Sequence, residues 1–209
     1  MREHPIPPVT EPMQYRAIGL VRGKYIPNDP DSFSRGLIVD ENGDEIEAVV
    51  LGRAIGLIKR YLSIDSPHLW VVYPRSRNSD SLHLQITGIW EPTTLGSISK
   101  TNSHPDIGKS QLIKEVSDQV KEGDDYFSIR GELIYTKPET KDLVLKIRQK
   151  AREKGKKYFP FKLNLKGEIP ISSLRSFVSL NARRSGQKLY VEDIEIIGPI
   201  KTRNVINKI

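Results

Sequence analysis

One β-rich pattern occurs twice in this chain, and that repetition limits its fold more than any other feature. Tyr15-Arg16-Ala17-Ile18 runs on to Pro27, and Tyr126-Phe127-Ser128-Ile129 runs on to Pro138, with Tyr, Ile and Pro matching at an offset of 111. The copies also close alike. Leu82-His83-Leu84 leads to Ile89 and Pro92, and Leu189-Tyr190-Val191 leads to Ile196 and Pro199, at an offset of 107. Two similar ends with a slip of four residues between them are what a diverged duplication with altered loop lengths produces. Each copy then has about 100 residues, enough for a modest hydrophobic core of its own.

Periodicity and turn chemistry order the elements within each copy. Tyr15 to Ile26 alternates loosely and carries Gly19 and Gly23, the marks of a long, bent strand. Gly36 to Asp40 and Ile46 to Val50 flank Asn42-Gly43, a strong two-residue hairpin signal. Gly52 to Leu62 places Ile55, Ile58 and Leu62 at helical spacing, and two strands follow at Leu69–Tyr73 and Leu82–Trp90. In the second copy the strands are expected at Tyr126–Tyr135, Leu143–Ile147, Phe159–Leu165, Val178–Ala182 and Leu189–Ile197. Pro170 to Phe177 is the expected helix, and Arg183 to Gln187 a loop. Both copies read β-β-β-α-β-β.

A long glycine-kinked first strand, a hairpin, a helix between strands three and four and a closing strand resemble the OB-fold. The resemblance is one of strand order, covering some three quarters of the chain. It implies a mostly β protein of two tandem five-stranded barrels, each with a short helix between strands 3 and 4. The expected domains are 13–92 and 122–200, joined by a linker over 93–121 and followed by a tail over 201–209. The common use of such barrels is to hold single-stranded nucleic acid on strands two and three, gripped by the 1–2 and 4–5 loops.

Charge separates the copies. From Lys141 to Ile209 there are 17 Lys/Arg and 6 Asp/Glu, a net of +11, while the rest of the chain carries 16 and 20, a net of −4. Within the basic portion, Lys146, Arg148, Lys150, Arg152, Lys154 and Lys156 recur at every second residue, with Lys157 beside them. In an extended segment they share one face and repeat every ~6.6 Å, comparable with the phosphates of an extended single strand. Tyr158, Phe159 and Phe161 follow; Tyr158 is read as a base-stacking residue, Phe161 as core. The 4–5 loops add Arg75 and Arg77 in the first copy and Arg183, Arg184 and Lys188 in the second, where guanidinium forks suit phosphate oxygens.

Other chemistries find little support. With no cysteine there is no disulfide, thiolate nucleophile or Cys-based zinc site. His4, His68, His83 and His104 are scattered, and Asp40-Glu41-Asn42-Gly43-Asp44-Glu45 has its glycine too early for a calcium loop. No phosphate loop, dinucleotide fingerprint or nucleophile elbow is present. Asp124-Asp125 and Glu192-Asp193 would hold a metal only if folded together. No apolar run approaches the ~20 residues of a membrane span. The sequence therefore points to a non-catalytic, cytoplasmic protein that needs no cofactor and no membrane and binds single-stranded RNA or DNA through its second copy. The alternative is a scaffold subunit of a larger ribonucleoprotein or replication assembly, its first copy binding a protein partner.

Overall fold

A computed structural model describes residues 4–77, 81–93, 118–149 and 159–200. The described strands are β1 (Arg16–Asp29), β2 (Ser32–Val39), β3 (Glu45–Val50), β4 (His68–Ser76), β5 (Leu82–Ile89), β6 (Tyr126–Lys137), β7 (Asp142–Ile147), β8 (Phe161–Lys166), β9 (Ser176–Ser185) and β10 (Lys188–Pro199), and α1 (Gly52–Tyr61) is a helix. The pairing closes β1-β2-β3-β5-β4 on itself and β6-β7-β8-β10-β9 on itself, with β3 parallel to β5 and β8 parallel to β10. These are two five-stranded barrels of OB topology, as the strand order implied. In place of the second expected helix stands a single 3-10 turn at Ile171–Ser173. Residues 167–175 are all that separate β8 from β9, too few for a helix and its connections, and Pro170 starts the turn.

Each barrel fills by strand alternation. In β7 the burial pattern sends Leu143, Leu145 and Ile147 inward, and in β5 Leu82, Leu84 and Ile86 do the same. Helix α1 plugs the first barrel with Ala54 and Ile58, one turn apart on one face, while Lys59 and Arg60 lie in its last turn where the helix dipole favours cations. Trp70 is fully buried and its indole N–H donates to the Gly23 carbonyl at 2.9 Å, the core role that tryptophan more often takes in a barrel.

The first strand corrects the repeat. β1 passes from β4 to β2 at Gly23, and β6 passes from β9 to β7 at Gly131, 108 residues later. The offset of 111 lies three residues from that register, an odd slip that puts each matched residue on the opposite face, because side chains alternate along a strand. Ile18 accordingly belongs to a small outer cluster with Leu20, Leu69, Val71 and Ile6, whereas Ile129 lies in the main core. The Tyr15/Tyr126 identities are thus not equivalent positions.

The barrels are welded together. β1 and β6 pair antiparallel from Arg16↔Arg130 to Gly19↔Phe127, so the ten strands form one continuous sheet, and the main core runs through both barrels. At this seam a Cβ on Gly19 would lie 2.2 Å from the Phe127 ring, so only glycine lets the two strands meet. Farther along, Arg184 of β9 is inserted under the β2–β3 hairpin of the other barrel. Its Nη2 donates to Asp40 Oδ2 at 2.5 Å and its Nε to Asp125 Oδ1 at 2.6 Å. The Asp40 carboxylate also accepts the Asn42 and Asp44 amides at 2.9 Å each, fixing the turn whose Gly43 has φ +82°. Burial opposes the Asp40 charge, but the bonds from Arg184 and the Asp44 and Asn42 amides outweigh it and hold its carboxyl below the usual range. Arg22 with Asp124 at 2.6 Å and Gln187 with the Glu45 carbonyl at 2.5 Å extend the contact.

Two expected outcomes follow from these clamps. Arg184→Met leaves the Asp40 and Asp125 carboxylates without their cation and is expected to cost about 3–5 kcal/mol in urea unfolding; a loss under about 1 kcal/mol would show that the triad does not hold the barrels. His68 donates from Nε2 to the Ser63 carbonyl at 2.8 Å and pairs through Nδ1 with Glu91. Burial works against its protonation, yet the Glu91 and Ser63 bonds prevail and raise its pKa above 6.5. A raised histidine pKa stabilises the fold fully below 6.5 and loses that contribution as pH rises through the folded value. His68→Gln should therefore reduce the melting temperature most at pH 5.5 and least at pH 9, and a deficit independent of pH would contradict this.

Candidate nucleic-acid interface

Welding the barrels leaves a groove of about 740 Å³ on one side of the seam. Its walls come from the start of β1, from Tyr73 and Arg75 of β4, from Gln85 of β5, and from the facing ends of β7 and β8. Arg148, Gln149 and Phe161 of the second barrel line the groove, and the basic run singled out by sequence lies between them in the chain, outside the described residues.

Two aromatic–arginine pairs line it. The Arg75 guanidinium lies over the Phe161 ring with Cζ 3.9 Å from the centroid, joining the first barrel to the second. Nη1 donates to the Pro74 carbonyl at 2.8 Å, and no carboxylate among the described residues pairs with this arginine. Burial pulls its pKa down to about 10, with Tyr73 opposing. Arg148 lies over Tyr15 at 5.6 Å and within 3.6 Å of Glu132, and Tyr15 in turn packs edge-on to Phe177 with centroids 5.0 Å apart.

The seam itself is electropositive. Arg16 and Arg130 stand directly opposite each other across the β1–β6 pair, where like charges repel. Arg16 donates to the Pro7 carbonyl and Arg130 to the Pro12 carbonyl, both at 2.5 Å, and Arg130 also to Ser179 Oγ at 2.7 Å. Neither meets a carboxylate among the described residues. Burial and then the facing Arg130 lower the Arg16 pKa. Arg16 lines the groove; Arg130 is buried behind it.

The thirteen residues singled out by sequence divide sharply. Lys146 and Arg148 do share an outward face, as extended geometry required, and both lie within 4 Å of the Glu132 carboxylate. Lys150, Arg152, Lys154, Lys156, Lys157 and Tyr158 fall outside the described residues. Arg75 faces the groove, whereas Arg77 is paired with Glu47 on the outer face of the first barrel. Lys188 opens β10 and lines a smaller cavity of about 330 Å³ beside Ser76, Tyr135 and Lys166.

Arg183 and Arg184 require a correction, because β9 continues to Ser185 and the expected loop is a tight turn at Gly186-Gln187, with φ +57° at Gly186. Neighbours in a strand point to opposite faces, so the two arginines cannot present one phosphate site. Arg184 has a side chain 1% exposed and is spent on Asp40 and Asp125. Arg183 is held by Glu192 at 2.7 Å and by the carbonyls of Asp124 and Glu122. The acidic pairs weighed as metal ligands are likewise committed, Asp124 to Arg22, Asp125 to Arg184 and Glu192 to Arg183. No cluster of metal-ligating side chains occurs among the described residues.

Sequence reading missed Tyr15, Arg16, Gln85 and Gln149 as groove residues; Phe161, read as core, packs against the main core and also lines the groove. Phe161 is half-buried, with Arg75 over its ring, and Phe159 is 84% exposed at the other root of the basic loop. The available signal was the aromatic run at 158–161 beside the cations; the pairing of Phe161 with Arg75 depends on how the two barrels dock.

Comparison with known proteins agrees with this architecture. Residues 17–97 match the family described as PatR RNA-binding protein, N-terminal OB-fold domain, and residues 129–198 match the cyanobacterial OB-fold-like RNA-binding domain, C-terminal. No curated protein and no solved structure matches the chain. Among the described residues no helix is long and apolar enough to cross a membrane. The two matches follow one another in the order of the two barrels and together cover well over half of the sequence, so the chain belongs to the tandem OB-fold RNA-binding proteins.

Proposed function

We infer that this protein binds single-stranded RNA without catalysing its conversion, and that the strand runs from the basic loop of the second barrel into the groove between the barrels. The observation that carries this is the groove's composition: Arg16, Arg75 and Arg148 beside Tyr15, Tyr73 and Phe161, next in the chain to the segment 150–158 with five further cations. Single strands are held by the combination of a positive track for phosphates and aromatic faces for bases. A closed duplex offers no unstacked base to such a groove.

The division of roles differs from that of two barrels acting separately. Arg184, buried on Asp40 and Asp125, and Arg183, paired at the surface with Glu192, are not contacts in this reading. Lys146, Arg148, Lys150, Arg152, Lys154, Lys156 and Lys157 provide the electrostatic capture, with Tyr158 and Phe159 as stacking residues. Arg75 and Arg16 receive the strand in the groove. Family membership favours RNA over DNA as the ligand.

Fluorescence anisotropy with a labelled 12-nucleotide RNA over a salt series tests this reading. The logarithm of affinity should fall linearly with the logarithm of salt, by about 0.7 per phosphate neutralised. Replacing Lys150, Arg152, Lys154 and Lys156 together by Gln should flatten that slope by about 2–3 and weaken binding at least tenfold. Binding that is absent at low salt, or that the quadruple replacement leaves unchanged, would refute the assignment. Equal affinity for duplex and single-stranded RNA would refute the groove as the place where bases are held.

A further inference from the structure

Arg75 differs from the other cations of the groove. Arg148 has Glu132 nearby, whereas Arg75 has no carboxylate among the described residues and is desolvated. One face of its guanidinium lies against Phe161, and among the described residues only Nη1 has a protein acceptor, the Pro74 carbonyl. The fork formed by Nε and Nη2 has no acceptor among the described residues. An arginine held flat by an aromatic ring, with its bidentate edge open, has its recognition geometry built before any ligand arrives.

Two ligand groups fit such a fork, a phosphate and the O6/N7 edge of guanine. The surroundings favour the base. Tyr73, Ile18, Leu51 and Ile147 give this part of the groove apolar walls, which suit the flat faces of a purine and would strip water from a phosphate without returning hydrogen bonds. Gln85 stands opposite Tyr73 on the neighbouring strand and, with Gln149, supplies carboxamides that can both donate and accept at a base edge. Arg16 and Arg148 line the same groove and are placed for the flanking phosphates. Among the four bases only guanine sets two acceptors side by side on that edge; adenine puts an amino donor beside N7, and pyrimidines have no such pair.

We propose that the inter-barrel groove holds one unstacked guanine of the bound RNA, read on its O6/N7 edge by Arg75. This rests on the reading of the groove as an RNA site. The protein is then a sequence-selective binder: the basic loop gives affinity for any single strand, and Arg75 sets preference at one position.

The test uses the full chain and a set of oligo(A) 12-mers with one central substitution. Guanosine and inosine keep both acceptors, 7-deazaguanosine lacks N7, and 2-aminopurine lacks O6. The expected order is guanosine and inosine equal and about tenfold tighter than the other two and than unsubstituted oligo(A), the range of one bidentate contact. Arg75→Lys keeps the charge and loses the fork, so it should bring all five affinities to within about twofold while leaving the salt slope unchanged. If that variant fails to fold by its melting transition, the wild-type series decides alone. RNA bound equally whatever the central base overturns the guanine assignment and leaves the RNA-binding reading intact. Discrimination that persists in folded Arg75→Lys overturns the role of Arg75. No binding to any 12-mer at low salt overturns both readings.

Discussion

Arg184 buried between Asp40 and Asp125 is the contact on which the arrangement of the two barrels depends. Breaking such a buried pair is far more damaging than its presence is stabilising, since the charges left behind have no water to return to. The Arg184 guanidinium is 1% exposed and bridges a turn of one barrel to the first-strand entrance of the other, so sliding or hinging of the barrels would strand it. The β1–β6 pairing and the close approach at Gly19 act in the same direction. A groove made by two barrels can have fixed walls only if the barrels themselves are fixed. The stacking of Arg75 on Phe161, one residue from each barrel, is a consequence of that rigidity.

The uneven distribution of charge takes on a different meaning once the pairs are known. Part of the basic excess of the second copy is committed within the fold, because Arg184 neutralises carboxylates in both barrels and Arg183 pairs with Glu192. The acidic residues of the first copy are, in part, the other halves of these bridges, with Asp40 a clear case. Net charge per copy therefore overstates the contrast between the surfaces.

Strand order, barrel closure and the inward face of nearly every strand were legible in the sequence, because period two and turn chemistry are local properties. The register of the first strand was not. Tyr15 and Tyr126 look alike, but they are matched three residues out of register, an odd slip that reverses the faces, and Gly23 and Gly131, where β1 and β6 change partners, were the true landmarks. The second helix was overread because Pro170 to Phe177 has helical spacing but too little chain for a helix. The site was half legible. The cations at 146 and 148 share the expected face, yet nothing local distinguishes Arg75, stacked on a distant Phe161, from Arg184, buried beneath a distant hairpin. Both are arginines beside small polar residues near the β4–β5 and β9–β10 turns, and only docking of the barrels sets one in the groove and buries the other beneath the hairpin.

The Arg16–Arg130 pair shows what the fold tolerates at the seam. Two guanidinium groups opposite one another in an antiparallel pair destabilise it, and burial adds to the cost. Backbone carbonyls of Pro7 and Pro12 satisfy some of their donors but none of their charge. The Arg130 Nε atom remains buried without a partner. An anion at the seam would relieve this repulsion, so the free protein carries, at the junction that holds its barrels together, an unfavourable term that RNA phosphate is suited to remove. In the proposed binding mode, a phosphate reaching Arg16 would therefore reinforce the docking of the barrels.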